Sequence, residues 1–167
     1  MAVKFEGLDE LFESLDNIAD TNTVKKALDK CCIIVERSAR QKADAQSKGD
    51  GELARSIASK VDGLEGIIYT PLEYAPYVEY GTGIHAEGGK GRQDVPWVYV
   101  EGEGSGAKKS TQSYTLDEAK KAVAYLKKKG LDAHYTYGQH PQPYMRPALD
   151  ENRELILKII KEGLTNG

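Results

Sequence analysis

The chain has 167 residues, 40% of them apolar and 29% charged, and a formal net charge of −3. That length and composition suit one ordinary globular domain, 1–167, with one core, and the slight acidity argues against a general nucleic-acid binder, which needs a basic surface. No apolar run reaches the roughly 20 residues that cross a bilayer, and Met1-Ala2-Val3-Lys4-Phe5-Glu6-Gly7 lacks the apolar stretch of a signal peptide, so no membrane partner and synthesis in a cytoplasm are expected.

Residues 8–18 read as a short helix, with Leu8, Leu11, Phe12 and Leu15 on one face. The cluster Asp20-Thr21-Asn22-Thr23 ends it and offers N-caps for the next. A long helix is expected over 24–48. Val24, Leu28, Cys31, Val35 and Ala39 form its stripe, and Cys32, Ile33 and Ile34 widen the apolar centre, so it should be covered on two sides. The adjacent Cys31 and Cys32 rarely close on each other and form no disulfide framework. They are expected to be reduced, with at least one packed as a small apolar residue. Gly49-Asp50-Gly51 stops the helix, and residues 52–56 suit one further turn.

Residues 57–61 and 66–70 read as two strands joined by the hairpin pair Asp62-Gly63. Then comes the most distinctive stretch, Pro71-Leu72-Glu73-Tyr74-Ala75-Pro76-Tyr77-Val78-Glu79-Tyr80-Gly81-Thr82-Gly83. The prolines fix φ and disfavour helix at the residue before each, and the glycines permit backbone shapes that a side chain forbids. A single helical turn over 73–80 and a sharp reversal at Gly81 and Gly83 are expected, with Pro76 and Glu79 as further structural residues of the turn. Glu79 either accepts hydrogen bonds from turn N–H groups or makes a salt bridge across a subunit contact, to Arg55 or Arg146. Ten tyrosines against two phenylalanines suit half-buried surfaces and interfaces, or a small domain with wet edges.

A charged, glycine-rich loop follows over 84–94, then a strand over 95–101 with Trp97 and Tyr99 on one face and Val98 and Val100 on the other. Gly102-Glu103-Gly104-Ser105-Gly106-Ala107 has the composition of a flexible linker. Residues 115–129 make a helix with a capping box, Thr115 and Glu118, a stripe of Leu116, Ala119, Val123 and Leu126, and a stop at Gly130. Residues 102–130 thus form a Gly/Lys-rich excursion carrying one helix between two strands, the second over 131–137. Pro141-Gln142-Pro143 is extended, and Pro147 fits the first turn of a last helix running to about 162. Leu149, Ile156 and Ile160 share its apolar face. The fold class is α+β: a small, mostly antiparallel sheet against a long N-terminal helix and a C-terminal helix.

No chemistry stands out. His85, His134 and His140 lack metal-ligand spacing, and Cys31-Cys32 lies mid-helix. Gly81-Thr82-Gly83 has neither the third glycine nor the following helix of a phosphate cradle. Glu52, Glu73, Glu79 and Asp94 could pair as acid and base, but 26 acidic residues make such pairs common by chance. No catalytic residue, cofactor or metal ligand is assigned.

Tyr74-Ala75-Pro76-Tyr77-Val78-Glu79-Tyr80-Gly81-Thr82-Gly83, with Pro141-Gln142-Pro143-Tyr144-Met145-Arg146-Pro147-Ala148-Leu149, resembles the head–tail joining (neck or tail-completion) proteins of long-tailed bacteriophages, a group that includes minor tail proteins of the Z type. Asp50-Gly51-Glu52-Leu53-Ala54-Arg55-Ser56-Ile57 resembles a third signature of that group, Thr-Gly-x-Leu-x-x-Ser-Ile, with Asp50 in place of the threonine. The likeness covers roughly residues 1–83 and 135–165, and its motifs mark structure rather than catalysis.

The resemblance implies a structural virion protein, made in the bacterial host's cytoplasm, that forms a ring with copies of itself. A hexamer is the expected ring, a dodecamer the second size considered. Its neighbours would be the head-side connector or head-closure protein and the tail tube or terminator, with DNA at most passing through the lumen. A tail terminator that caps the tube is the nearest alternative, and a small hydrolase or nucleic-acid-modifying enzyme the distant one. In residues 1–22 six acids face one base, giving −5, while in 105–130 seven lysines face Asp117 and Glu118, giving +5. These are either two solvated faces or complementary surfaces of neighbouring subunits. Tyr77, Tyr80, Lys120, Lys121, Lys127, Tyr144 and Arg146 are the expected partner-facing residues.

Overall fold

The computed structural model describes residues 2–4, 21–46, 50–94, 96–100 and 114–165. In chain order the elements are β1 (Ala2–Lys4), α1 (Thr21–Gln46), α2 (Glu52–Ser56), β2 (Ala58–Asp62), β3 (Glu65–Tyr69), α3 (Ala75–Tyr80), two 3-10 turns (Gly83–His85 and Glu87–Gly89), β4 (Trp97–Val100), α4 (Leu116–Lys128), β5 (Ala133–Thr136), α5 (Met145–Glu151) and α6 (Arg153–Thr165). They fall into two units, one of Met1–Ala75 with Pro143–Gly167, the other of Pro76–Gln142. The helix expected over 8–18 and the linker expected over 102–107 lie outside the described residues.

In the first unit α1 carries the core. Val24, Ala27, Leu28, Cys31, Cys32, Val35, Ala39 and Ala43 are buried along it, a stripe repeating every three to four residues. The helix packs against α5 and α6 and against α2, β2 and β3, the two-sided cover expected of its apolar centre. Cys31 and Cys32 face these two layers separately: the Cys31 thiol lies 3.9 Å from the Ile156 carbonyl of α6, and the Cys32 thiol 3.9 Å from the Lys60 carbonyl of β2. Ile33 corrects the sequence reading. It is 54% exposed, because the next position round the helix points away from both layers. Ile57, Ile68, Ile156 and Ile160 complete the core, each contributing about 2 kcal/mol by leaving water.

The sheet of this unit is antiparallel in the order β1-β3-β2. Ala2 and Ala58 both lie opposite Tyr69, on either side of β3. Asp62 pairs with Glu65, so Gly63 and Leu64 make the turn, one residue later than the expected Asp62-Gly63; Gly63 takes the positive φ of 62°. The last helix is two helices. Asn152 ends α5, its amide donating to the Ala148 carbonyl at 2.7 Å, and its own carbonyl accepts from Ile156 N at 2.9 Å to start α6. Leu155 is consequently 44% exposed, while Ile156 and Ile160 stay inside.

In the second unit β4 and β5 pair antiparallel, Trp97 opposite Thr136 and Val100 opposite Ala133. The helix α4 connects them and packs on both, with Ala119, Val98 and Ala133 buried. Its capping box forms as expected: the Thr115 side chain accepts from Glu118 N, and the Glu118 carboxylate accepts from Thr115 N at 2.8 Å. The fold is α+β, with a long N-terminal helix and C-terminal helices against a small antiparallel sheet, and a helical excursion between paired strands.

Candidate functional site

The segment 50–57 is a structural joint. Asp50 Oδ1 accepts from Glu52 N at 3.1 Å, so a carboxylate caps the start of α2. Gly51 sits at φ 75°. Leu53 is buried, and the Ser56 hydroxyl donates to its carbonyl at 2.7 Å. The same hydroxyl meets Thr70 Oγ1 at 2.6 Å, tying the end of α2 to the end of β3. Ile57 is fully buried, and its carbonyl accepts from Arg40 Nε at 2.9 Å and from Nη2 at 2.6 Å. Arg40 also pairs with Glu36 at 2.9 Å, and Glu36 accepts from Ser59 Oγ at 2.6 Å. Sequence reasoning missed Arg40, which lies off the apolar stripe, one turn after its partner Glu36.

The Gly81-Thr82-Gly83 turn is a second joint, within the other unit. Thr82 N donates to the Gln139 carbonyl at 2.8 Å, Ile84 N to the Tyr137 carbonyl at 3.1 Å, and Gln142 N to the Val78 carbonyl at 2.8 Å. The Thr82 hydroxyl accepts from Gln139 N at 2.8 Å. These bonds lay 82–84 against 137–139. Gly81 and Gly83 have φ of 76° and 58°. A Cβ at Gly83 would strike the Tyr137 carbonyl, and one at Gly81 would come within 2.8 Å of the Gln139 carbonyl oxygen. Both glycines are therefore required by conformation and by space. Gly91 and Gly138 are equally confined, against the Gly83 and Thr82 carbonyls; in the sequence Gly91 was one glycine of the 84–94 loop and Gly138 carried no signal.

Beside this turn lies a concavity of about 960 Å³. Its walls include Pro76, Tyr77, Tyr80, Gly81–Gly83, Lys90, Arg92 and Trp97. Tyr77 is 52% and Tyr80 40% exposed, and the Arg92 guanidinium lies 5.4 Å from the centre of the Trp97 ring. His85 and His140 stack with ring centroids 3.8 Å apart.

The other expected residues separate into exposed and buried. Lys120, Lys121 and Lys127 are exposed on α4 and Arg146 is half-buried on α5. Tyr144 is 0% exposed; expected at a partner surface, it is a packing residue of the folded chain. Glu79 is also 0% exposed, which suits a structural group of the turn and not a carboxylate presented to a neighbour. Tyr74 donates to Glu52 Oε2 at 2.9 Å, and burial, then this bond, pushes its hydroxyl up to about 12. Among the described residues no group of three His, Cys, Asp or Glu side chains converges as a metal site, and no helix is long and apolar enough to cross a membrane.

The two joints account for two of the sequence signatures in physical terms. No curated protein and no solved structure matches the chain. Over residues 8–81 it matches a phage family, the HK97-gp10-like family, described as "Bacteriophage HK97-gp10, putative tail-component".

Proposed function

We propose that this chain is a structural subunit of a phage virion, acting at the neck or the head-proximal end of the tail, where copies of it form a ring that completes the head–tail connection. The observation that carries the reading is the match of residues 8–81 to a phage tail-component family. The geometry supports it. The signature residues Ser56, Ile57, Gly81 and Gly83 hold backbone segments together, a task suited to a stoichiometric building block. A closed ring needs two different complementary patches on each subunit. Exposed Lys120, Lys121 and Lys127 on α4 supply one of them.

Deleting the gene and examining lysates by electron microscopy tests the reading. DNA-filled heads beside separate tails are expected. Tails of uncontrolled length with heads intact would instead assign the chain to the tube's terminator. Normal joined virions, or no heads at all, would overturn the proposal.

A further inference from the structure

We infer that the concavity beside the Gly81–Gly83 turn is one half of the subunit contact, and that its occupant is the acidic segment 5–20 of a neighbouring copy. This rests on the ring reading above and gives it an address.

The receiving side is preformed. One wall is the backbone of 81–83, fixed by its bonds to 137–139 and by glycines with no room for a Cβ. Tyr77, Tyr80 and Trp97 also line it, aromatic surface in a cavity of about 960 Å³. Exposed tyrosines around an apolar hollow are the composition of an interface core, where large rings bury area at low entropic cost. The two-stranded sheet adds to the argument. Val98, Val100, Tyr135 and Ala133 share one face by register, and α4 packs on that sheet, with Ala119, Val98 and Ala133 all buried. Trp97 and Tyr99 share the other face by register, and Tyr99 remains 43% exposed. A two-stranded sheet is marginal alone and gains from cover. Of the charged residues that line the cavity, Lys90, which is exposed, and Arg92, which lies over Trp97, outnumber the one carboxylate, Glu87.

The occupant must offer apolar side chains for the hollow and carboxylates for the rim. Within residues 5–20, Glu6, Asp9, Glu10, Glu13, Asp16 and Asp20 meet no base at all, and Leu8, Leu11, Phe12 and Leu15 recur at helical spacing. An amphipathic helix laid in an apolar groove is read through such i, i+3, i+4, i+7 anchors. The helix α6 is a poorer fit, since Arg153, Lys158 and Lys161 outnumber its acids Glu154 and Glu162. A cavity of one copy filled by a different stretch of the next makes a heterologous contact, the kind that closes a ring.

Cross-linking between two differently marked copies tests this. One full-length variant carries Lys90→Cys; three others carry Glu10→Cys, Glu13→Cys or Asp16→Cys. The native thiols stay silent, being buried and pushed up to about 11 by that burial. Copies are mixed, oxidised and separated by mass, with assembly followed in parallel by light scattering and in purified particles. A disulfide joining Lys90→Cys to at least one of the three is expected, with yield falling about tenfold when Tyr77→Ala and Trp97→Ala are added. Assembled rings in which none of the three pairs cross-links above a Lys158→Cys control would overturn the docking and leave the ring standing. Double-cysteine chains that close only on themselves would overturn the neighbouring-copy occupant. A chain that stays monomeric alone and in particles would overturn ring and docking together.

Discussion

Gly83 and Gly63 separate two costs that sequence alone joins. Both have positive φ, but a Cβ at Gly63 meets nothing within 4 Å, while one at Gly83 drives into the Tyr137 carbonyl. Gly63→Ala should therefore cost only the left-handed conformation, about 1–2 kcal/mol. Gly83→Ala adds a backbone collision and should cost about 2–5 kcal/mol. Urea melts of the two variants check this, and equal losses would remove the close approach from the account. Ser56 and Thr70 make a second residue-scale test. Ser56→Ala should cost about 1–2 kcal/mol, and a cycle with Thr70→Val should show coupling across their 2.6 Å contact. The thiols give a third. Burial raises both Cys31 and Cys32 from 9.0 to about 11, so the unfolded chain loses these protons first as pH rises. Their stabilising contribution is whole below pH 9 and declines as pH climbs from 9 through 11. The urea midpoint should fall over that window, and fall less in the Cys31→Ala, Cys32→Ala double variant.

Elements whose signals are local were legible in the sequence. The α4 box needed only Thr115 and Glu118, three residues apart, and it formed. The stripe of α1 and the reversal at Gly81 and Gly83 were equally readable, since periodicity and glycine carry them. What escaped depends on distant partners. The three-residue β1 has no pattern of its own and exists through pairing with β3, Ala2 opposite Tyr69. The break at Asn152 was hidden because apolar spacing runs through it, while the side chain's bond to the Ala148 carbonyl cannot be seen in a pattern. The candidate surface divided in the same way. Lys120, Lys121 and Lys127 were readable as exposed, whereas Tyr144 looked like a surface tyrosine and is buried by the tertiary fold. The box predicts a local response. Thr115→Ala should cost about 1 kcal/mol, with amide exchange quickened at 116–119 and unchanged in α1. The Glu118 carboxyl is held below its usual value by its bond with the Thr115 backbone. The depressed value places that stabilisation above the ordinary carboxylate range, and it is lost as pH falls through the folded value. Acidification should therefore fray the same turn.

At the scale of the whole molecule, charge is arranged rather than scattered. Along the sequence, residues 1–22 carry six acids and one base, and residues 105–130 carry seven lysines and two acids. Lys120, Lys121 and Lys127 are exposed on a helix whose buried side is committed to β4 and β5. Reversing them, as Lys120→Glu with Lys121→Glu and Lys127→Glu, removes three positive charges and adds three negative ones without touching the core, so the melting curve should move little. On the ring reading proposed above, assembly should suffer instead, since the reversed charges would repel acidic surface of a partner. Exposed charges act over about 8–10 Å at physiological ionic strength. The defect should accordingly be milder than gene deletion and should shrink as salt rises. Counting joined virions in lysates prepared at low and high salt measures it. A triple variant that folds normally and joins heads to tails at wild-type frequency at low salt would show that the lysine face is solvated surface. The ring contact would then rest on the concavity beside Gly81–Gly83 and its occupant, without the lysine face.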